Sequence, residues 1–216
     1  VPVLAGQDRD RFRQGRIPAL AHERSMVRLI GTRPVPVLLG IAFLITQHLA
    51  FAQADTTLPR VDDSDPFYSV EPADIDCVLV AAQRQGVPGN VLLAIASVEN
   101  GKNGQVVANT NGTFDIGHFQ INTMHWDKGG IFDGDAGPAK QDVAWRGCYN
   151  AEVAAWMLRQ NLDERNGQDY WTRAANYHSR TPRFNSIYRK RLIQFAASWA
   201  RWLERTYGDR VTISQQ

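Results

Sequence analysis

Apolar residues recur at helical spacing through most of the chain after residue 72. In "ADIDCVLVAAQRQG", Ile75, Val78, Leu79 and Ala82 fall at i, i+3, i+4 and i+7, the stripe of an amphipathic helix, and Gly86 with Pro88 ends it. "NVLLAIASVENG" predicts a second helix, opening on Asn90 as N-cap, carrying Leu92, Ile95 and Ala96 on one face and closing at Asn100 and Gly101. The same stripe, continued one step, reaches Glu99. The periodicity then breaks. "KNGQVVANTNGTFDIGHFQIN" is rich in Asn, Gly and Thr with short β-prone pieces, which predicts a small hairpin turning at "NTNG". Helical patterns return in "CYNAEVAAWMLRQNL", in "YWTRAANYHS" and in "IYRKRLIQFAASWARWLERTYG". In the last of these Tyr188, Leu192, Phe195, Trp199 and Trp202 keep helical spacing until Gly208. The expected fold is mainly α, with one small β-hairpin beside the Glu99 helix.

The first quarter has a different character. From Met26 a short segment with Arg28 and Arg33 runs into "VPVLLGIAFLI", and the following residues end in Ala52, Gln53 and Ala54. A basic start, a short apolar run and an A-x-A site are the parts of a secretory signal, here 26–54, cleaved after Ala54. The apolar run is well short of the ~20 residues that span a bilayer, so no stable membrane anchor is expected after cleavage. Residues 1–25 read as an upstream extension. Residues 55–72 are acidic and proline-punctuated, the composition of a linker or extended arm. The folded domain is expected over 73–208, with 209–216 as a C-terminal tail.

Setting the first 54 residues aside changes the electrostatics. Seven of the 24 basic and three of the 22 acidic residues lie there, leaving 17 against 19 and a net charge of −2. A near-neutral domain offers no electrostatic reason for a nucleic-acid partner, and the "RKR" run at Arg189 to Arg191 reads as a solvated helix face. A periplasmic or secreted location also gives the two cysteines a use. Cys77 and Cys148 are expected to form one disulfide, worth roughly 4 kcal/mol on the chain-entropy account for a loop of this length; two separate buried thiols are the alternative. His118, His125 and His178 form no tight pair with Cys or His at ligand spacing, so neither a metal nor another cofactor is expected.

Glu99 is out of place on an apolar stripe, because glutamate is almost never buried without a partner. A salt bridge or a frayed helix end would account for it. So would general acid catalysis, since an apolar setting disfavours the ionised form and lets the group hold a proton near neutral pH.

"AIASVENG", then "DIGHFQIN", then "AANYHS" followed by "IYRKRL", resemble in order and spacing the soluble lytic transglycosylases, a lysozyme-like family that cleaves peptidoglycan. The family pattern is a glutamate closing an apolar helix, usually followed by Ser; then Gly-Leu-Met-Gln-Ile; then Ala-Tyr-Asn-Ala-Gly; then a Tyr-containing helix. The resemblance covers roughly 73–207 and implies a lysozyme-like α+β domain. It implies Glu99 as the single catalytic acid and base, with Gln120, Asn122 and Tyr177 lining the glycan groove. Asn100 stands where the family has Ser, "HF" where it has Leu-Met before the glutamine, and "HSR" where it has Asn-Ala-Gly after the tyrosine. The "GCYN" at the start of the third helix, with the early Cys77, resembles members that accompany conjugation, secretion or pilus systems. Components of such an apparatus are therefore expected partners besides peptidoglycan strands.

"TNGTFDIG" is also similar to the stretch of animal-type lysozymes that carries their second carboxylate, which places Asp115 in the groove. Its plain use is a turn residue bonding its own backbone. Three functions follow from this reading: a transglycosylase that leaves 1,6-anhydro-muramic acid ends through Glu99 alone, a hydrolase using Glu99 and Asp115, and a glycan-binding scaffold without chemistry.

Overall fold

The computed structural model describes residues 57–132 and 138–208. The expected signal segment, the upstream extension and the C-terminal tail lie outside the described residues. Among the described residues six α-helices surround a small sheet: α1 (Ile75–Gln85), α2 (Gly89–Glu99), α3 (Lys140–Trp145), α4 (Gly147–Asp163), α5 (Tyr170–Ala175) and α6 (Pro182–Tyr207). The sheet is antiparallel in the order β1 (Val106–Ala108), β2 (Phe114–Ile116) and β3 (Ile121–Asn122). This is the expected lysozyme-like α+β arrangement, with a third short strand added to the hairpin.

Local chemistry explains the element ends. Asp74 caps α1 by accepting from the Cys77 N–H at 2.8 Å, and Gly86 ends it in the left-handed conformation at φ 65°. The hairpin turns at Asn109 to Gly112, as "NTNG" predicts, closed by Gly112 N–H donating to the Asn109 carbonyl at 3.1 Å. The expected cap at Asn90 does not form. Pro88 takes the N-cap position, and buried Asn90 sends its amide across to the Ala196 carbonyl on α6, at 3.3 Å. The helix start is held by a tertiary contact instead of its own side-chain cap.

α2 is apolar nearly all round because it is enclosed. It packs chiefly against α6, while α1 packs on α4. Trp199 of α6 donates from Nε1 to the Ser97 hydroxyl at 2.9 Å, tying the last turns of α2 to α6. α4 is the most deeply buried helix, with Tyr149, Asn150, Val153 and Leu158 almost fully enclosed. Cys77 on α1 and Cys148 on α4 are disulfide-bonded, across a separation of 71 residues. No helix of the described residues is long and apolar enough to cross a membrane.

Residues 57–72 lie along α1 and α4. The Tyr149 hydroxyl donates to the Pro59 carbonyl at 2.9 Å, and the Tyr68 hydroxyl donates to buried Glu152 at 2.8 Å. Burial, reinforced by Glu152, pushes the Tyr68 phenol up to about 12. Arg84 sits over the Phe67 ring, 4.2 Å from its centre, and pairs with Asp65 at 2.8 Å.

One side chain of α4 reaches toward the cleft. Asn150 accepts from the Phe119 N–H at 2.7 Å and donates to the Val143 carbonyl at 2.8 Å. It thereby fixes the loop between β2 and β3 onto α4 and α3. Gly117 in that loop has φ 72°, and a Cβ there would collide with the Asn150 amide. Asn150→Ala leaves two buried polar backbone groups without a partner, and is expected to lower the unfolding free energy by about 2–4 kcal/mol, read from urea titration at unchanged m-value. Replacing Cys77 and Cys148 together by Ala is expected to cost a similar ~2–4 kcal/mol, seen as a lower urea midpoint than that of the oxidised wild type.

Candidate active site

Glu99 is the last residue of α2. The next residue, Asn100, adopts the left-handed conformation at φ 53° and turns the chain away, its N–H donating to the Ala96 carbonyl at 2.9 Å. The carboxyl is left at a helix end, half-buried between α6 and the sheet. Burial pushes its pKa up to about 7, and the negative charge of Asp115 pushes the same way. Tyr188 and Arg191 pull it down. Desolvation wins, so this carboxyl exchanges its proton near neutral pH.

The sheet brings Asp115 to the same place. Asp115 is the middle residue of β2, paired with Val107 on β1 and Asn122 on β3. Asn122 donates from Nδ2 to the Asp115 carboxylate at 2.6 Å and to the Thr113 hydroxyl at 3.0 Å. Its Oδ1 accepts from the Met124 N–H at 2.9 Å. The Asn122 amide is thus engaged on both sides, and its first effect is to aim Asp115. The charge of Asp115 is felt by Glu99, Tyr177, His125 and His178, so all four lie within its electrostatic reach.

Two further residues expected in the groove brace it from below. Tyr177 is buried, and its hydroxyl donates to the Phe119 carbonyl at 3.0 Å. Burial, then Glu99 and Asp115, hold that phenol well above its ordinary pKa. Gln120 has a positive φ of 48°, rare for a residue with a side chain. Its Nε2 donates to the Gly117 carbonyl at 2.8 Å, and the His118 Nδ1 lies 2.9 Å from the Gly101 carbonyl. A Cβ on Gly101 would press on the Gly117 and His118 carbonyls and on the Gln120 amide, so only glycine lets the end of α2 sit this close to the loop. These contacts place Gln120 at the foot of Glu99. The disulfide joins α1 to α4 and includes none of these residues.

Tyr188 is the site residue that periodicity conceals, because it keeps step with the core stripe of α6. It is buried, and its electrostatic coupling to Glu99 shows that the phenol faces the carboxyl. Its hydroxyl is within hydrogen-bonding reach of the Glu99 carboxyl, the contact that pulls the Glu99 pKa down and pushes the phenol's up. The His178 ring stacks flat on it, centres 4.8 Å apart. The tyrosine in "IYRKRL" was the available signal. A separate hollow lined by Arg84, Gln85, Phe132, Glu152 and Trp156 shares none of these residues.

This arrangement can donate a proton from Glu99, accept one back, and hold a second negative charge within electrostatic reach. Among the described residues no cluster of three or more His, Cys, Asp or Glu could hold a metal. Comparison with curated proteins found no match. Residues 76–189 match the family model of the transglycosylase SLT domain, a span that takes in α1, α2, the sheet, the Tyr177 turn and Tyr188, and the chain belongs to that family of peptidoglycan-acting transglycosylases.

Proposed function

We propose that the protein is a lytic transglycosylase that cleaves the β-1,4 bond between N-acetylmuramic acid and N-acetylglucosamine and leaves a 1,6-anhydro-muramic acid end. The observation that carries this reading is a glutamate at the end of a buried helix whose pKa is raised to about 7 by burial. Such a group is an acid before the bond breaks and a base afterwards. Protonated Glu99 gives its proton to the glycosidic oxygen, and the N-acetylglucosamine leaves with the bonding electron pair. The positive charge at the anomeric carbon is shared by the muramyl acetamido group. Glu99, now a carboxylate, takes the proton of the muramyl 6-hydroxyl, whose oxygen closes on the anomeric carbon. No water is consumed.

Asp115 supports the cationic transition state electrostatically. Its reach to Glu99 favours a second reading, hydrolysis, in which it acts as nucleophile at the ~5–5.5 Å separation of retaining glycosidases. Peptidoglycan lies outside the cytoplasmic membrane, so the setting is periplasmic or extracellular. The early Cys77 and the "GCYN" start of α4 support local wall opening for a secretion, conjugation or pilus apparatus.

Mass spectrometry of peptidoglycan digests distinguishes the readings. Wild-type protein is expected to release fragments one water lighter than reducing-end products, and Glu99→Gln to lower their rate at least a hundredfold. Reducing ends from the wild type would instead make Asp115 the nucleophile. No products from either protein would point to a scaffold.

The raised pKa has a sign that stability measurements can check. Between about pH 4.5 and about 7 the folded chain holds a Glu99 proton that the unfolded chain has released, so this group's contribution falls as pH rises through that window. Glu99→Gln removes the effect. The variant is expected to gain stability over wild type from about pH 5 to about pH 8, by on the order of 1–3 kcal/mol, in parallel thermal melts. Wild-type activity is expected to decline as pH rises through about 7, where the acid form is lost.

A further inference from the structure

α6 forms one wall of the cleft, and the edge of it nearest Tyr188 is occupied in an unusual way. Asn185 and Arg189 turn to the other side, where Asn185 donates to the Thr172 carbonyl at 3.0 Å and Arg189 to the Thr172 hydroxyl. By helical register Phe184, Ile187 and Arg191 share the edge on the opposite side of Tyr188. All three are exposed, Phe184 at 51% and Ile187 at 56%. Two large apolar side chains and a guanidinium thus lie in line on the exposed side of α6, the guanidinium end within electrostatic reach of Glu99.

Arg191 has no salt bridge and no hydrogen bond among the described residues. Arg180, just before this helix, pairs with Glu164, and Arg189 on it with Asp169. Its charge nevertheless reaches Glu99, Tyr188 and His178. A lone cation in that position opposes the proposed chemistry twice. It favours the ionised form of Glu99, and it repels the positive charge that grows at the anomeric carbon. An anion supplied by the substrate would remove both penalties. The sugars of a peptidoglycan strand are neutral, and its negative charges are the carboxylates of the peptide stems carried on the muramyl lactyl groups.

We infer that Phe184, Ile187 and Arg191 are a docking edge for the peptide stem of a muramic acid adjoining the cleaved bond, with Arg191 pairing with a stem carboxylate and the two apolar side chains covering alkyl parts of the stem. This deepens the transglycosylase reading and rests on the same cleft, but it concerns recognition and can be tested without turnover. The protein would then prefer stem-bearing strands to strands stripped of peptide.

The test uses Glu99→Gln protein, which does not consume its ligand, and soluble muramyl oligosaccharides prepared with stems and, as the stem-free form, with each lactyl carboxyl capped as its methylamide, because amidase treatment would leave a free lactyl carboxylate for Arg191 to bind. Isothermal titration is expected to give about tenfold tighter binding of the stem-bearing form. Adding Arg191→Gln is expected to close that gap, and Arg191→Lys to restore part of it. With Arg191 intact, Phe184→Ala together with Ile187→Ala is expected to narrow the gap without changing its salt dependence. Equal affinity for the two ligands, or a gap that survives Arg191→Gln, overturns the inference, as does failure of both ligands to bind. The products of the digest remain a separate readout: reducing ends would overturn the transglycosylase reading while leaving a stem preference standing.

Discussion

The peptide unit of Phe119 is gripped from two sides, and the cleft is built around that grip. Asn150 of α4 accepts from its N–H, and Tyr177, just beyond α5, donates to its carbonyl. Phe119 itself is fully buried. A buried backbone group has to be paired, and here both partners are side chains distant in sequence, one on α4 and one in the turn after α5. The loop from Gly117 to Gln120 therefore has one register. Upstream, that register sets Asp115 on β2; downstream, it sets Asn122 on β3. Through His118 and Gln120 the same loop meets the end of α2, where Glu99 lies. Two carboxylates from different elements are thus brought to one cleft by a single turn of backbone.

The electrostatics of Glu99 come from opposing influences of unequal size. Enclosure between α6 and the sheet disfavours its charge, and Asp115 adds to that; Tyr188 and Arg191 work against it. The direction is set by desolvation, which depends on packing and not on any single neighbour. The site's acidity is in that sense a property of the α2 to α6 interface, which Trp199 and Ser97 fasten together.

Much of this was legible from residue pattern. Glu99 stood out because a helical stripe and the usual placement of carboxylates conflicted at that position. The hairpin was marked by its turn residues, and the disulfide by there being two cysteines in an exported domain. Other parts left no local signal. β3 is too short to show alternation, and α3 too short to show two helical turns. Asn90 carries the chemistry of a cap, but its partner is a carbonyl more than a hundred residues away. Tyr188 and Asn150 sit within apolar stripes, where period identifies the buried face and cannot say that a hydroxyl or an amide on that face meets a cleft instead of the core. Gln120 and Tyr177 were expected against glycan; their hydrogen bonds are to the loop that carries the site.

The bond between Cys77 and Cys148 also acts as a clock. It joins the two helices against which the arm is laid, and it can close only where thiols are oxidised. A chain still in a reducing cytoplasm lacks that tie and is the easier to unfold. A bond of this kind and peptidoglycan, the polymer on which the family acts, belong to the same side of the cytoplasmic membrane, so the tie between α1 and α4 is one that holds where the family's substrate lies.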